Sequence, residues 1–165
     1  MDHPPIIENA ARDLAALNKT DRVRRHTAQD LRDRIDRQTL ARLEADLAYL
    51  DGDSDEARRH LSRRINDLGD EWDVDRVVEL WAGGIGLLGL VLAASTRQRR
   101  LLGLSAAALT FLVQHATMGW SPPVPALRRL GVRTRDEIDV EQAVLKEVRG
   151  DWERRGPLPV TVALR

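Results

Sequence analysis

Residues 80–96 read LWAGGIGLLGLVLAAST, seventeen positions without a charge, and residues 101–120 read LLGLSAAALTFLVQHATMGW, the opening of an uncharged run that continues to Leu127. At 1.5 Å per residue the first run makes a helix about 26 Å long, slightly more if Val77 and Val78 join it, against a bilayer core of about 30 Å. Soluble helices ordinarily keep a polar face, and neither run has one. The pair predicts an all-α fold built on a membrane-spanning antiparallel hairpin, turned by Arg97, Gln98, Arg99 and Arg100, with amphipathic helical extensions at both ends. A buried hairpin at the core of a soluble bundle is the competing reading.

Lipid gives helices no hydrophobic reason to associate, so a hairpin closes through small residues that let backbones approach. The first run offers Ala82, Gly86, Gly89 and Ala93, and the second offers Gly103, Ala107, Thr110, Gln114 and Thr117, each set at alternating three- and four-residue spacing. One antiparallel register sets Ala93 against Gly103, Gly89 against Ala107, Gly86 against Thr110 and Ala82 against Gln114. The same register brings Glu79 opposite Thr117, near Gln114 and His115, as a polar cluster at the membrane border. A carboxylate there needs a donor, and such a cluster suits either a satisfied interfacial patch or a proton or ligand site. Trp81 and Trp120 fall at one leaflet, where aromatic side chains anchor helices at the interface.

Other chemistry finds little support. Gly83, Gly84, Gly86 and Gly89 invite comparison with a phosphate-binding loop, but no Lys-Ser/Thr follows and no strand precedes them, so helix packing explains them better. A haem would need axial ligands, and the middle of the chain offers only His115. With no cysteine in 165 residues, disulfides, thiol nucleophiles and Cys-ligated metal sites are excluded. No cofactor or metal is expected.

The chain carries 26 basic and 26 acidic groups, so there is no basic excess to favour nucleic acid. Of the basic residues 24 are Arg and two are Lys, a codon-bias signature of a GC-rich, bacterial genome. Residues 1–76 hold 14 basic and 18 acidic side chains, residues 77–127 hold three Arg and Glu79, and residues 128–165 hold nine and seven. Charge thus divides the chain into a helical N-terminal region (1–76), a transmembrane hairpin (77–120) and a Pro-rich exit with an amphipathic helix and tail (121–165). The start has neither a basic n-region nor an apolar h-region, so the hairpin itself is expected to direct insertion. Nine arginines flank the hairpin, Arg58, Arg59, Arg63, Arg64 and Arg76 before it and Arg128, Arg129, Arg133 and Arg135 after it, against three in its turn. That imbalance predicts both termini in the cytoplasm of a bacterium, with the hairpin in the inner membrane.

The flanks read as helices with narrow apolar stripes. Leu31, Ile35, Leu40, Leu43, Leu47 and Leu50 line one, with Asp51, Gly52 and Asp53 as the break; Asp53 and Glu56 resemble a helix start. Leu61, Ile65, Leu68 and Trp72 line the next. These stripes suit helix pairing, self-association, protein partners or shallow contact with a bilayer, whereas two heptads are too few for a coiled coil. Arg22, Arg24, Arg25 and His26, interleaved with acids, read as a solvated face. Ser121, Pro122, Pro123, Val124 and Pro125 stop the second span. Thr134 and Glu137 form a capping box for a helix that ends near Gly150 and aligns Ile138, Leu145, Val148 and Trp152, docked either on the interface or on the N-terminal helices. The tail GPLPVTVALR reads as loosely ordered.

The two glycine- and alanine-rich spans followed by GWSPPVPALRRLGVRTRDEIDVEQAVLKEVRGDW resemble the YgaP-like transmembrane domain of bacterial inner-membrane proteins, a domain of unknown function. The stretch from DRVRRHTA to RRINDLGDEWDVDRVVEL resembles the upstream helical segment of that group's longer members, so the likeness spans roughly residues 21–152. Its most specific part is the Gly-Trp-x-Pro-Pro exit. Family members are sometimes fused to a rhodanese module, which this chain does not contain, and often carry Cys where this chain has Ser121. No catalytic residue transfers, and the resemblance implies placement and topology only.

These readings converge on a non-enzymatic integral membrane protein that anchors, scaffolds or self-associates. Two rivals stand beside it: a polar membrane site of Glu79, Gln114 and His115 serving transport or proton or ligand binding in an oligomer, and a soluble helical interaction module.

Overall fold

A computed structural model of the chain describes residues 4–51 and 54–151, and among these it is all-helical. The helices are α1 (Pro4–Thr20), α2 (Arg22–Arg25), α3 (Gln29–Ala48), α4 (Ser54–Asp70), α5 (Val74–Thr96), α6 (Leu102–Met118), α7 (Val124–Arg129) and α8 (Arg135–Val148). Asp53, Trp152 and the tail, to which the sequence assigns a cap, a core position and loose order, lie outside the described residues.

Local chemistry sets the boundaries. Thr134 caps α8 through the backbone N–H of Glu137 while the Glu137 carboxylate accepts the N–H of Thr134, the expected capping box. Asp73 caps α5 by accepting the Arg76 N–H at 2.8 Å. Gly119 ends α6 at φ +69°, and its N–H donates to the His115 carbonyl at 2.7 Å.

Helices α1, α3, α4 and α8 form a bundle whose core is drawn from the narrow stripes, except that Trp72, expected to continue the stripe of α4, lies beyond the helix end and is exposed. Ala10, Leu43, Leu61, Ile65, Leu68, Ile138 and Leu145 bury together, edged by Leu40, Leu50 and Val148. The flanking stripes therefore pair with one another, and α8 docks on the N-terminal helices. A second cluster, Val23, Val74, Val78 and Val124 with Leu112 and Leu127, seats the hairpin on the bundle.

Helices α5 and α6 are antiparallel and project from this seat. They are long and apolar enough to cross a membrane, and only 22% and 11% of their apolar stretches are buried inside the molecule. The small stripe of α5 faces its partner as the spacing predicts: Ala82, Gly89 and Ala93 are buried and Gly86 is half-buried. The stripe of α6 does not. Gly103, Ala107 and Thr110 are exposed, Gln114 is half-buried, and the facing residues are Leu101, Ser105, Ala108, Leu112 and His115. That set repeats the expected spacing two residues earlier, roughly 200° around the helix. Its cause is polar. Ser105 donates its hydroxyl to the Gly86 carbonyl at 2.7 Å, and a Cβ on Gly89 would stand 2.6 Å from the Ser105 Oγ. Hydrogen bonding, rather than residue size alone, selects which face of α6 turns inward.

Candidate functional site at the base of the hairpin

The bundle helices and their connections share a set of buried charges. The Glu137 carboxylate is fully buried and accepts from Arg24 at 2.6 Å and from Arg128 at 2.6 and 2.7 Å. Arg24 also forks onto Asp36 at 2.8 and 2.9 Å, and the Arg128 Nε–H reaches the Thr27 hydroxyl at 3.2 Å. Burial alone would push Glu137 up, but the Arg128 pair, the Thr134 N–H and Arg24 outweigh it and hold the carboxyl below its ordinary 4.5. A neighbouring set joins the buried Glu141 to Arg133 and, at 2.6 Å, to Arg64, with Arg133 forking onto Glu71 at 2.8 and 2.5 Å. Arg24 is thus no part of a solvated face; within the arginine run it is buried while Arg22, Arg25 and His26 are exposed. A buried guanidinium survives because every charge in the layer has an opposite partner.

Beside this layer opens a cavity of about 320 Å³ where α5 and α6 meet the bundle. Asp21 enters from the start of α2, Asp75 and Glu79 from successive turns of α5, His115 from the last turn of α6, and Asp136 from the first turn of α8. His115 is buried, and its Nε2 lies 2.7 Å from the Asp75 Oδ1. Asp21 is also buried; its Oδ1 accepts the N–H groups of Val23 and Arg24 at 2.8 and 3.0 Å. The Asp21 Oδ2 and the His115 Nδ1 are buried with no hydrogen-bond partner. Burial, then the carboxylates of Asp21, Asp139, Asp75 and Glu137, pushes Asp136 up from its ordinary 3.8.

The expected border cluster is therefore only partly assembled. Glu79 and His115 line one cavity, but the ring is held by Asp75, one turn nearer the bundle. Thr117 is exposed and donates to its own helix at the Val113 carbonyl, 2.9 Å away, and Gln114 does not line the cavity. Trp81 and Trp120 are exposed, both near the bundle end of the hairpin. Sequence reasoning missed Asp21, Asp75 and Asp136; the four-residue interval from Asp75 to Glu79, one helical turn, was the available signal for the first of the α5 carboxylates.

Among the described residues no group of three or more His, Asp or Glu side chains is arranged to hold a metal ion. The cavity wall combines the carboxylates of Asp21, Asp75, Glu79 and Asp136 with the cations Arg22 and Arg135. Compared with known proteins, the chain matches no family model, no curated protein and no solved structure.

Proposed function

We propose that this chain is a membrane-anchored helical module whose α5–α6 hairpin inserts into a bacterial inner membrane while the ion-paired bundle stays on the cytoplasmic side. The observation that carries the reading is the contrast between the two parts. The bundle buries its leucines and pairs its charges, whereas the hairpin exposes Leu80, Trp81, Leu87, Leu88, Leu90 and Val91 along α5, and Leu109, Phe111 and Val113 along α6. An apolar surface of that extent is unfavourable in water and favourable in hydrocarbon. α5 alone, at 23 residues, is about 34 Å long, enough for a bilayer core of about 30 Å.

The role is anchoring or scaffolding: the hairpin fixes the bundle at the surface, and exposed faces of the bundle or of the hairpin remain for partners or further copies. Arginines clustered where the hairpin meets the bundle favour cytoplasmic termini. The likeness to the YgaP-like domain supports the same placement, and the local structure gives its exit motif a reason, since Gly119 turns at positive φ and the Ser121–Pro123 segment leads straight into α7.

Fractionation tests the proposal. Expressed in a bacterial host, the full chain is expected in the membrane pellet, resistant to alkaline carbonate and released by detergent. Recovery in the supernatant without detergent, as a monodisperse species, would replace this reading with that of a soluble helical module.

A further inference from the structure

The turn of the hairpin carries every Lys, Arg, Asp or Glu found between Leu80 and Leu127. Arg97, Arg99 and Arg100 fall within four residues of one another, between α5 and α6, and all three are exposed. None of them enters an ion pair or a side-chain hydrogen bond among the described residues, whereas the buried Arg24, Arg128 and Arg133 of the bundle each hold a carboxylate. The chain supplies no partner nearby. No Asp or Glu occurs between Glu79 and Asp136, and Glu79 lies about 26 Å down α5 from the turn. That separation is about three Debye lengths at physiological ionic strength, so the three charges act on their surroundings unneutralised.

The backbone of the turn singles out Arg97. It sits at φ +56°, the one non-glycine at positive φ among the described residues, and in the C-cap position of α5, where glycine is the usual residue. Glycine would make the same turn without strain, so what Arg97 adds is its guanidinium. Helix α6 opens at the same place, and neither Gln98 nor Leu101 sets a side-chain acceptor over its first N–H groups. The turn therefore presents amide donors and the positive end of a helix beside three cations. Exposed Leu90, Val91, Leu102 and Leu104 lie next to it on the side toward the bundle, so the charges stand at the rim of an apolar band.

We propose that this turn is a docking surface for the headgroups of anionic phospholipids. The inference rests on the membrane reading above: α5 is about 34 Å long, which carries the turn past about 30 Å of hydrocarbon and into the headgroups of the leaflet opposite the bundle. A guanidinium fork matches a phosphate through two parallel hydrogen bonds, and three forks beside an apolar rim suit phosphates held at the level where acyl chains end. The phosphate of phosphatidylcholine is offset by its own choline, whereas that of phosphatidylglycerol keeps its charge, so the turn selects the second. Each Arg near an anionic surface contributes about a fivefold gain in association, and three acting independently give a gain on the order of a hundredfold.

The test places the full chain in nanodiscs of equal phosphatidylglycerol and phosphatidylcholine content and reads, by native mass spectrometry, which lipid the released protein retains. Phosphatidylglycerol should be favoured at least tenfold. Changing Arg97→Gln, Arg99→Gln and Arg100→Gln together should remove most of that preference, and the control pair Arg76→Gln and Arg129→Gln, exposed at the other end of the hairpin, should leave most of it. Arg97→Gly separates recognition from folding, for it should melt no lower than the parent while weakening the preference about fivefold. Equal retention of the two lipids, a preference that survives the triple variant or Arg97→Gly, or one abolished by the control pair instead would overturn the proposal. Should alkaline carbonate extract the parent chain, the membrane reading fails separately, and flotation of the extracted chain with phosphatidylglycerol vesicles decides the turn. Flotation that is lost in the triple variant supports it, and any other result overturns it.

Discussion

Glu137 is the side chain on which the charged layer closes, for it caps α8 and receives two guanidinium groups in the same buried space. Glu137→Gln keeps the size but leaves Arg24 and Arg128 short of an anion, and breaking such a buried pair costs about 3–5 kcal/mol. Denaturant unfolding in detergent micelles should show that loss, and a change under about 1 kcal/mol would mean the layer is hydrated rather than closed. Titration has a definite sign here. Glu137 and Glu71 are held below their ordinary 4.5, so their contribution is present above that value and disappears as pH falls through the folded-state pKa values. Asp136 runs the other way: raised above 3.8, it favours the folded state only while protonated. Melting should accordingly be flat near neutrality and fall below about pH 4.5. Asp136→Asn should raise the melting temperature at pH 7 and leave it unchanged at pH 3; the reverse pattern would contradict the crowding of carboxylates around it. The sequence displayed Thr134 and Glu137 as a capping box, yet nothing local marked Glu137 as the partner of Arg24, because 113 residues separate them. Long-range ion pairs leave no spacing to read.

At the scale of the element, α5 and α6 test whether the hairpin closes by residue size or by hydrogen bonds. The α5 stripe was legible in the sequence because glycine and alanine alternate there with large side chains. Helix α6 carries two faces of identical spacing, one of small residues and one bearing Ser105, Ala108 and His115, and periodicity cannot choose between them. What faces them separates the two: the Gly86 carbonyl accepts the Ser105 hydroxyl, and the Asp75 carboxylate meets the His115 ring. A chain with no native cysteine makes the test simple. Ala82→Cys paired with Ala108→Cys, both buried one turn from the Gly86–Ser105 contact, should cross-link readily, and Ala82→Cys paired with Gln114→Cys should cross-link far more slowly; the opposite order would restore the size-matched register. Bulk at Gly89, as in Gly89→Leu, should loosen the hairpin, whereas Gly103→Leu, with open space around it, should be tolerated. Gly119 is a different case. Its φ of +69° and the Arg22 carbonyl carbon 2.7 Å from any added Cβ both exclude a side chain, so Gly119→Ala should shift the end of α6 and disturb the cavity.

On the scale of the whole molecule, the segments before and after the hairpin fold together, with α8 packed on α1 and α4, so the apolar middle is held as a projection from one bundle. Of the stripes read from the sequence, Leu61, Ile65, Leu68, Ile138 and Leu145 lie in its core, whereas Trp72 is exposed. The direction in which each stripe turned was not legible, since lipid, a second copy and a neighbouring helix all reward the same spacing. The proposed placement requires hydrocarbon around the exposed faces of α5 and α6. The most direct measurement places a nitroxide at Leu88, through Leu88→Cys, in the full chain reconstituted into liposomes and compares its relaxation by dissolved oxygen and by a water-soluble nickel chelate. Oxygen should dominate strongly at Leu88, with the chelate dominating at a control label on Arg59→Cys in the bundle. Equal or greater access of the chelate at Leu88 would mean that water, or the protein's own chain, surrounds the hairpin and that it spans no membrane.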